Sequence, residues 1–588
     1  MFLELSHALL RGQGRMGMIV PSGIYTDKGT TPLRELFLER CDWQWLFGFE
    51  NREGIFDIHR SFKFCPLIVQ KGGETQAIRA AFMHRNVDDW EQAERHVLAY
   101  PRERVLEFSP DSKAILEIRS EQDLRVLQKI YGNGVLLGDH SEHGWGIKYT
   151  TEFHMTNDSK LFPPRPKWEE KGYLPDEYGH WLRGPWRDYQ GSKNVLDREH
   201  GVVLSRDGTQ ALHLEQIEDV ALPLYEGRMI GQFDFSEKGW VSGTGRSAVW
   251  RDIPFQEKVI EPQYLMGLNS YVEAVDKNGK PKSVRGLKPC YMDVSSATNS
   301  RTMISSGVWD VPCGNKVPLL LPRGGALPAI SLQTCLNSFV FDFAMRSRLG
   351  GLTINYFIVE ECPLPHQALI PQEIIAKAFS LLAANSPTLS AAKDSLGFEL
   401  GHAAITEHER LRLRVIIDAT MFGLCSLSLE DVAHILKDCD RPIGDLSGDS
   451  AKKLNPKGFW RLGKGTDPEL RHTVLSLVAF CDLQEKGLDA FLAQNGGDGW
   501  MIPDNLRLAD YGLGHDERAQ QSLSVASRLG PRFYDWQLNE DLERSWQECA
   551  DHAELIRRIV PLPSPDETLT IAEPSANYDT QGSQGALF

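Results

Sequence analysis

Long apolar runs are missing from this 588-residue chain. No stretch of about 18 consecutive apolar residues occurs, so no transmembrane helix is expected. The opening MFLELSHALLRGQG is too short and too interrupted for the apolar region of a signal peptide. Cysteine is sparse: 10 residues, scattered, with no C-x-x-C pair and no Cys/His cluster at zinc spacing. That is the usage of free thiols in a reducing cytoplasm, the expected location. Base is short against acid, 64 Lys and Arg facing 80 Asp and Glu, for a net charge of −16. A uniformly basic nucleic-acid coat protein is thereby excluded, but a locally basic cleft is not.

Catalytic signatures are also lacking. His140 and His143 form H-x-x-H within GDHSEHGWG, but no third ligand is spaced nearby, so a solvated loop is expected rather than a metal site. GFWRLGKG, from Gly458 to Gly465, nearly spells a phosphate-binding P-loop. Gly465 stands where the motif needs a magnesium-binding hydroxyl, and SAKKLNPK upstream is not a strand. Asp176 follows Pro175 without a D/E-x-K triplet, so no nuclease centre is read. There is no G-x-S-x-G elbow and no Gly-rich dinucleotide fingerprint.

What is present is an ordinary core-forming composition, 41% apolar and 24% charged. At roughly 100–200 residues per domain the length suggests about three domains. Residues 1–72 alternate helix and strand. Phe2, Leu5, Leu9 and Leu10 share a helical face, and Met16–Val20 reads as a strand covered on both faces. Thr30 or Thr31 can cap a helix beginning at Pro32. Strands are expected over Trp43–Glu50 and Phe62–Gln70, close enough to form an antiparallel pair. Residues 73–114 read as a polar connector. From 115 to 365, turn residues recur at short spacing between apolar runs, the pattern of a mixed, mainly β region with helical insertions. From 366 to 562 helices dominate, with candidates at Gln372–Ala383, Leu411–Met421, Leu429–Lys437, Pro468–Gln484 and Leu538–Ile559. The polar end, 563–588, is expected to be a disordered tail.

The run FLELSHALLRGQGRMGMIVPSGIYTDKGTTPLRELFLERCDWQWLFGFENREGIFDIHRSFKFCPLIVQKGG resembles the second half of the catalytic domain of adenine-specific DNA methyltransferases, the large ones of type II restriction–modification and related phage-defence systems. A helix, the G-x-I-V-P strand, L-R-x-x-L, F-E-N, a loop with I-F and a strand opening K-F stand in the family's order. PLYEGRMIGQFD, ATNSRTMISSGVWDVPCGN and LNSFVFDFAMRSRLGGLTINYFIVEECPLP resemble that family's target-recognition region, and NPKGFWRLGKGTDPELRHTVLSLVAF and GWMIPDNLRLADYGLGHDERA its helical C-terminal region. The resemblance implies an α/β fold: part of a Rossmann-like S-adenosylmethionine-dependent methyltransferase sheet, then a mixed α+β recognition domain and a mainly helical region. The family's catalytic N-P-P-Y is absent, as is the upstream Gly loop for S-adenosylmethionine. The chain is therefore expected to be the recognition half of such an enzyme, a gene fragment or a split piece, inactive and not holding the cofactor alone. Otherwise it is a non-catalytic DNA-specificity subunit.

Further roles come from the same resemblance. Phe56 occupies the loop before the last strand, where an aromatic wall receives the flipped adenine; the residues alone equally allow a hydrophobic plug. Phe2 lies where the family touches the cofactor's adenine, or is simply the first apolar residue of its helix. Glu50 and Asn51 could polarise the loop mouth or cap a strand end. Double-stranded DNA is the expected partner, with an upstream methyltransferase half or nuclease and defence subunits, and no membrane. Lys280, Lys282 and Arg285 sit in the five-cation stretch KNGKPKSVRGLK, and Arg187 and Arg228 lie among aromatics. With Arg301 and Arg346, placed by family position, they are the candidate DNA contacts.

Overall fold

A computed structural model describes residues 2–190, 201–255, 258–383, 386, 388–389, 404 and 407–502. The expected helix at 538–559, the tail at 563–588 and nearly all of GWMIPDNLRLADYGLGHDERA lie outside them.

The first eighty residues begin with α1 (Phe2–Leu9), β1 (Arg15–Pro21), α2 (Thr31–Arg40), β2 (Cys41–Glu50) and β3 (Lys63–Lys71). β3 lies between β1 and β2 and is antiparallel to both, so the expected antiparallel pair is present. The sheet does not stop at residue 72. The stretch read as a connector adds β4 (Ala77–His84), parallel to β2, and β5 (Leu98–Pro101), giving the order β1-β3-β2-β4-β5. β1, β2 and β4 therefore run the same way. Their C-terminal ends, with the start of β3, gather Pro21, Glu50, Lys63 and His84 at one end of the sheet.

α2 packs on this sheet through Phe37 and Leu38, against Trp43, Leu67 and Val69, all essentially inaccessible. Burying each such side chain favours the fold by roughly 1.5–3 kcal/mol. The Thr75 hydroxyl ties helix to sheet, donating to the carbonyls of Phe37 and Cys41 while accepting from the Trp43 amide. Neither threonine caps α2 as expected: Thr30 donates instead to the Gly23 carbonyl at 2.7 Å and Thr31 to that of Lys28. β1 is also not covered on both faces. It is an edge strand in which only Met16 is buried and Ile19 is 60% exposed.

Beyond residue 115 short antiparallel strands form several small sheets, as the turn spacing predicts. One pairs 148–150, 319–321, 287–291 and 305–309; another pairs 174–175, 181–183, 219–223 and 265–267. Residue 365 is not a structural divide. α3 (Ala326–Leu336) and α4 (Phe339–Arg348) share one hydrophobic core with α5 (Gln372–Leu382), α6 (Glu407–Leu424) and α7 (His472–Lys486). No helix among the described residues is long and apolar enough to cross a membrane.

Candidate nucleic-acid interface

The loop joining β2 to β3 leaves the sheet at Glu50 and Asn51. Asn51 is fully buried, and its side chain organises the loop: the amide donates to the carbonyls of Phe56 and Ile58, each at 3.0 Å, and its oxygen accepts from the Phe56 amide at 2.9 Å. Beyond the two roles open to Asn51 in the sequence, polarising the loop mouth or capping the strand end, its side chain anchors the loop. Glu50 is buried as well, its carboxylate taken by Arg85 at 2.9 Å with Arg52 at 3.6 Å, so it neutralises charge beneath the loop mouth. The anchored loop holds the Phe56 ring edge-on to Phe64, centroids 4.8 Å apart, while the side chain stays 41% exposed. Ile58 and Phe62 are exposed beside it in the chain. Phe56 is thus neither a buried plug nor a free side chain: one edge is fixed and a surface is open.

Under the loop lies a charged cluster that the sequence reading missed. The Glu117 carboxylate, from the irregular segment before Ser120, accepts from Tyr25 Oη at 3.0 Å, Lys63 Nζ at 2.8 Å and Lys457 Nζ at 2.6 Å. Burial works to raise its pKa, but the two ammonium groups outweigh that and hold it down at about 2. Burial lowers Lys457 to about 8 despite the same partner. Lys63 opens β3 and Lys457 belongs to NPKGFW, so one carboxylate ties the sheet end to the helical region. Glu117 stands in the apolar run ILEI, where all four residues are buried, but nothing local to it names its partners.

The remaining candidates fall into three groups. Arg187 and Lys280 are exposed, and Arg228 is exposed with its guanidinium 6.0 Å from the Trp250 ring centroid. Lys282 and Arg285 are paired, with Asp158 at 2.7 Å and Asp310 at 3.3 Å, the first largely out of solvent. Lys288, the last cation of that stretch, is wholly buried against Glu152 at 2.8 Å. Arg301 and Arg346 do not reach solvent, which corrects their assignment to phosphate. Both pair with Asp342, and Arg346 donates to the carbonyls of Asn299, Ser300, Lys457 and Gly458. They are interior clamps. Phe2 is 73% exposed on the outer side of α1, where Leu3 is the buried residue. His143 and His366 both line a cavity of about 640 Å³, and no metal-binding group of three ligands occurs among the described residues.

No family model matches the chain, and no curated protein matches it. The solved structures that overlap with it in part include two restriction enzymes. One is the type IIG restriction endonuclease BpuSI, at 13% identity and TM-score 0.24, covering 72% of this chain and 48% of that one. The other is the type IIL restriction-modification enzyme MmeI in complex with DNA, at 9% identity and TM-score 0.30, covering 70% and 47%. The chain spans about half the length of each.

Proposed function

We propose that this chain is the DNA-recognition half of a site-specific adenine methyltransferase from a restriction or phage-defence system. In such a reaction a methyl group leaves S-adenosylmethionine for the exocyclic nitrogen of adenine, which loses a proton. The observation that carries the reading is the end of the first sheet: an antiparallel β3 set between parallel β1 and β2, and at the mouth a loop whose aromatic tip is held half open by a buried asparagine. A base taken out of a duplex needs such a face to stack on. Of the residues implied for the cofactor only Phe2 is present, and a single ring 73% exposed does not make a site for S-adenosylmethionine. The chain's part is to bind the duplex and offer one wall of the base pocket.

The test is transfer of labelled methyl to duplex DNA, with this chain alone and with a polypeptide carrying the Gly loop and N-P-P-Y added in trans. Binding without transfer is expected for the chain alone, and transfer when the partner is added. Phe56→Ala should then depress turnover while leaving duplex affinity within about threefold, because a base-stacking contact formed after flipping is expressed mainly in the transition state. Methylation by the 588-residue chain alone would overturn the reading. Duplex binding with no turnover under any partner would leave a DNA-specificity subunit.

A further inference from the structure

The end of the first sheet gathers a set of arginines from separate parts of the chain. Arg52 and Arg85 converge on one buried carboxylate, Glu50, at 3.6 and 2.9 Å. Arg60 donates to the Arg52 carbonyl at 3.1 Å, folding the far side of the Phe56 loop back onto its start. From the other side Arg119 donates to Asn455 Oδ1 at 2.7 Å, and Arg461 to the adjoining Pro456 carbonyl at 2.8 Å, with its guanidinium 3.9 Å from the Trp460 ring centroid. The Asn455–Lys457 turn is itself pinned to the sheet end through Lys457, Glu117 and Lys63. Four separate segments thus bring five arginines to one place. Arg52, Arg60 and Arg119 are exposed, and Arg85 and Arg461 are partly so. The acids facing them are Glu50, which two arginines already share, and Asp123, which accepts from the Arg119 backbone amide at 3.0 Å and is itself paired with His434 at 2.7 Å; Glu53 lies on the loop. Lys452 and Lys453 lie nearby; Lys452 is paired with Asp449 at 2.8 Å, which raises its pKa, with Glu53 adding a smaller part. Burial lowers Arg461 to about 10, with repulsion from Arg346, Arg52 and Arg85 adding to it and Glu50 opposing.

We propose that Arg52, Arg60, Arg85, Arg119 and Arg461 form a groove that takes the phosphate backbone of double-stranded DNA beside the Phe56 loop. This rests on the reading above and extends it, since four of the five residues lie outside the 115–365 region from which DNA contacts were expected, and Arg119 only just within it. A free phosphate would need one or two convergent cations. Here five arginines from four segments stand beside the loop that carries exposed Phe56, Ile58 and Phe62, which suits a polymer that presents both phosphate and base. Arginine's planar fork matches phosphate oxygens and stays charged at neutral pH even when crowded. In a chain of net charge −16 such a patch also steers a polyanion to one face.

The experiment titrates the full chain into a labelled 30-base-pair duplex by fluorescence anisotropy across a salt series. The combined Arg52→Gln, Arg60→Gln and Arg119→Gln variant should bind at least about tenfold more weakly at low salt. Its slope of log affinity against log salt should be shallower by about 2–3, since each phosphate contact contributes about 0.9. Arg11→Gln, Arg15→Gln and Arg40→Gln remove equal charge at the opposite end of the sheet and should leave both quantities nearly unchanged. Replacing Arg52, Arg60 and Arg119 by Lys should restore most of the slope, and melting curves must match wild type. The proposal is overturned if the two Gln variants behave alike or if Lys fails to restore the slope. It is also overturned if inorganic phosphate competes as well as duplex at equal phosphate concentration, marking a small-anion site, or if single-stranded RNA binds more tightly and loses more. Duplex binding that persists in the triple variant sinks this groove alone; no duplex binding by wild type sinks the proposed function with it.

Discussion

At the scale of single residues, two buried polar groups set the behaviour of their surroundings. Asn51→Ala would strand one amide and two carbonyls of the Phe56 loop, because three hydrogen bonds end on that one side chain. A loss of about 1–3 kcal/mol is expected, read as a lower denaturant midpoint with faster amide exchange confined to residues 52–62. Exchange there at the wild-type rate would show that the loop does not depend on Asn51. Glu226 is the opposite case. Burial raises its carboxyl to about 7, with Arg228 only partly opposing, and one of its oxygens has no hydrogen-bond partner. The folded protein therefore holds a proton there that the unfolded chain releases near pH 4.5. The contribution is present below that pH and is lost as pH rises through 7. Glu226→Gln should make melting temperature flatter between pH 5 and 8, the variant gaining on wild type as pH rises. Parallel profiles would contradict the raised carboxyl. Neither role was legible in the sequence: Asn51 follows a strand end like any cap, and Glu226 in YEGRM carries no mark of burial.

Among the elements, β1 and α1 share an unusual exposure. Phe2, Leu5 and Leu9 of α1 and Ile19 of β1 are each more than half exposed, and β1 pairs on one side only. An unpaired apolar edge is a template for association. The purified chain should self-associate with rising concentration in light scattering, and Ile19→Lys should reduce this without lowering the melting temperature, since Ile19 contributes little to the core. Unchanged scattering would show that the edge is not the sticky surface. The same strand shows what periodicity can tell. MGMIV announces a strand because its apolar run is short and bounded by Gly and Pro, but a run alone does not reveal whether a second layer covers it. β2 and β3 were legible for the same reason as β1. β4 and β5 were not: AIRAAFMH is too rich in alanine and too poor in turn signals to stand out as a strand, and it becomes one through its parallel partner β2.

Across the molecule, regions that look separate along the sequence are fastened by arginines in the interior. Arg346 on α4 is 1% exposed and holds four carbonyls from two distant segments, residues 299–300 and 457–458, while sharing Asp342 with Arg301. Its position in a recognition-like stretch suggested a phosphate contact, because a sequence motif does not distinguish a cation aimed at solvent from one aimed inward. Burial now separates the two, and the difference can be measured in one protein. Arg346→Met would leave four carbonyls without their donor and return part of Asp342's charge to the interior. Losing one member of a buried charged network typically costs about 3–5 kcal/mol. The urea midpoint should fall by a corresponding amount with an unchanged slope, since the folded and unfolded surfaces are nearly the same. The salt dependence of duplex binding should stay at the wild-type value below the unfolding midpoint, because no phosphate is released when Arg346 is lost. A slope shallower by about one, with stability intact, would return Arg346 to the DNA surface and undo the division between interior clamps and the exposed arginines at the sheet end.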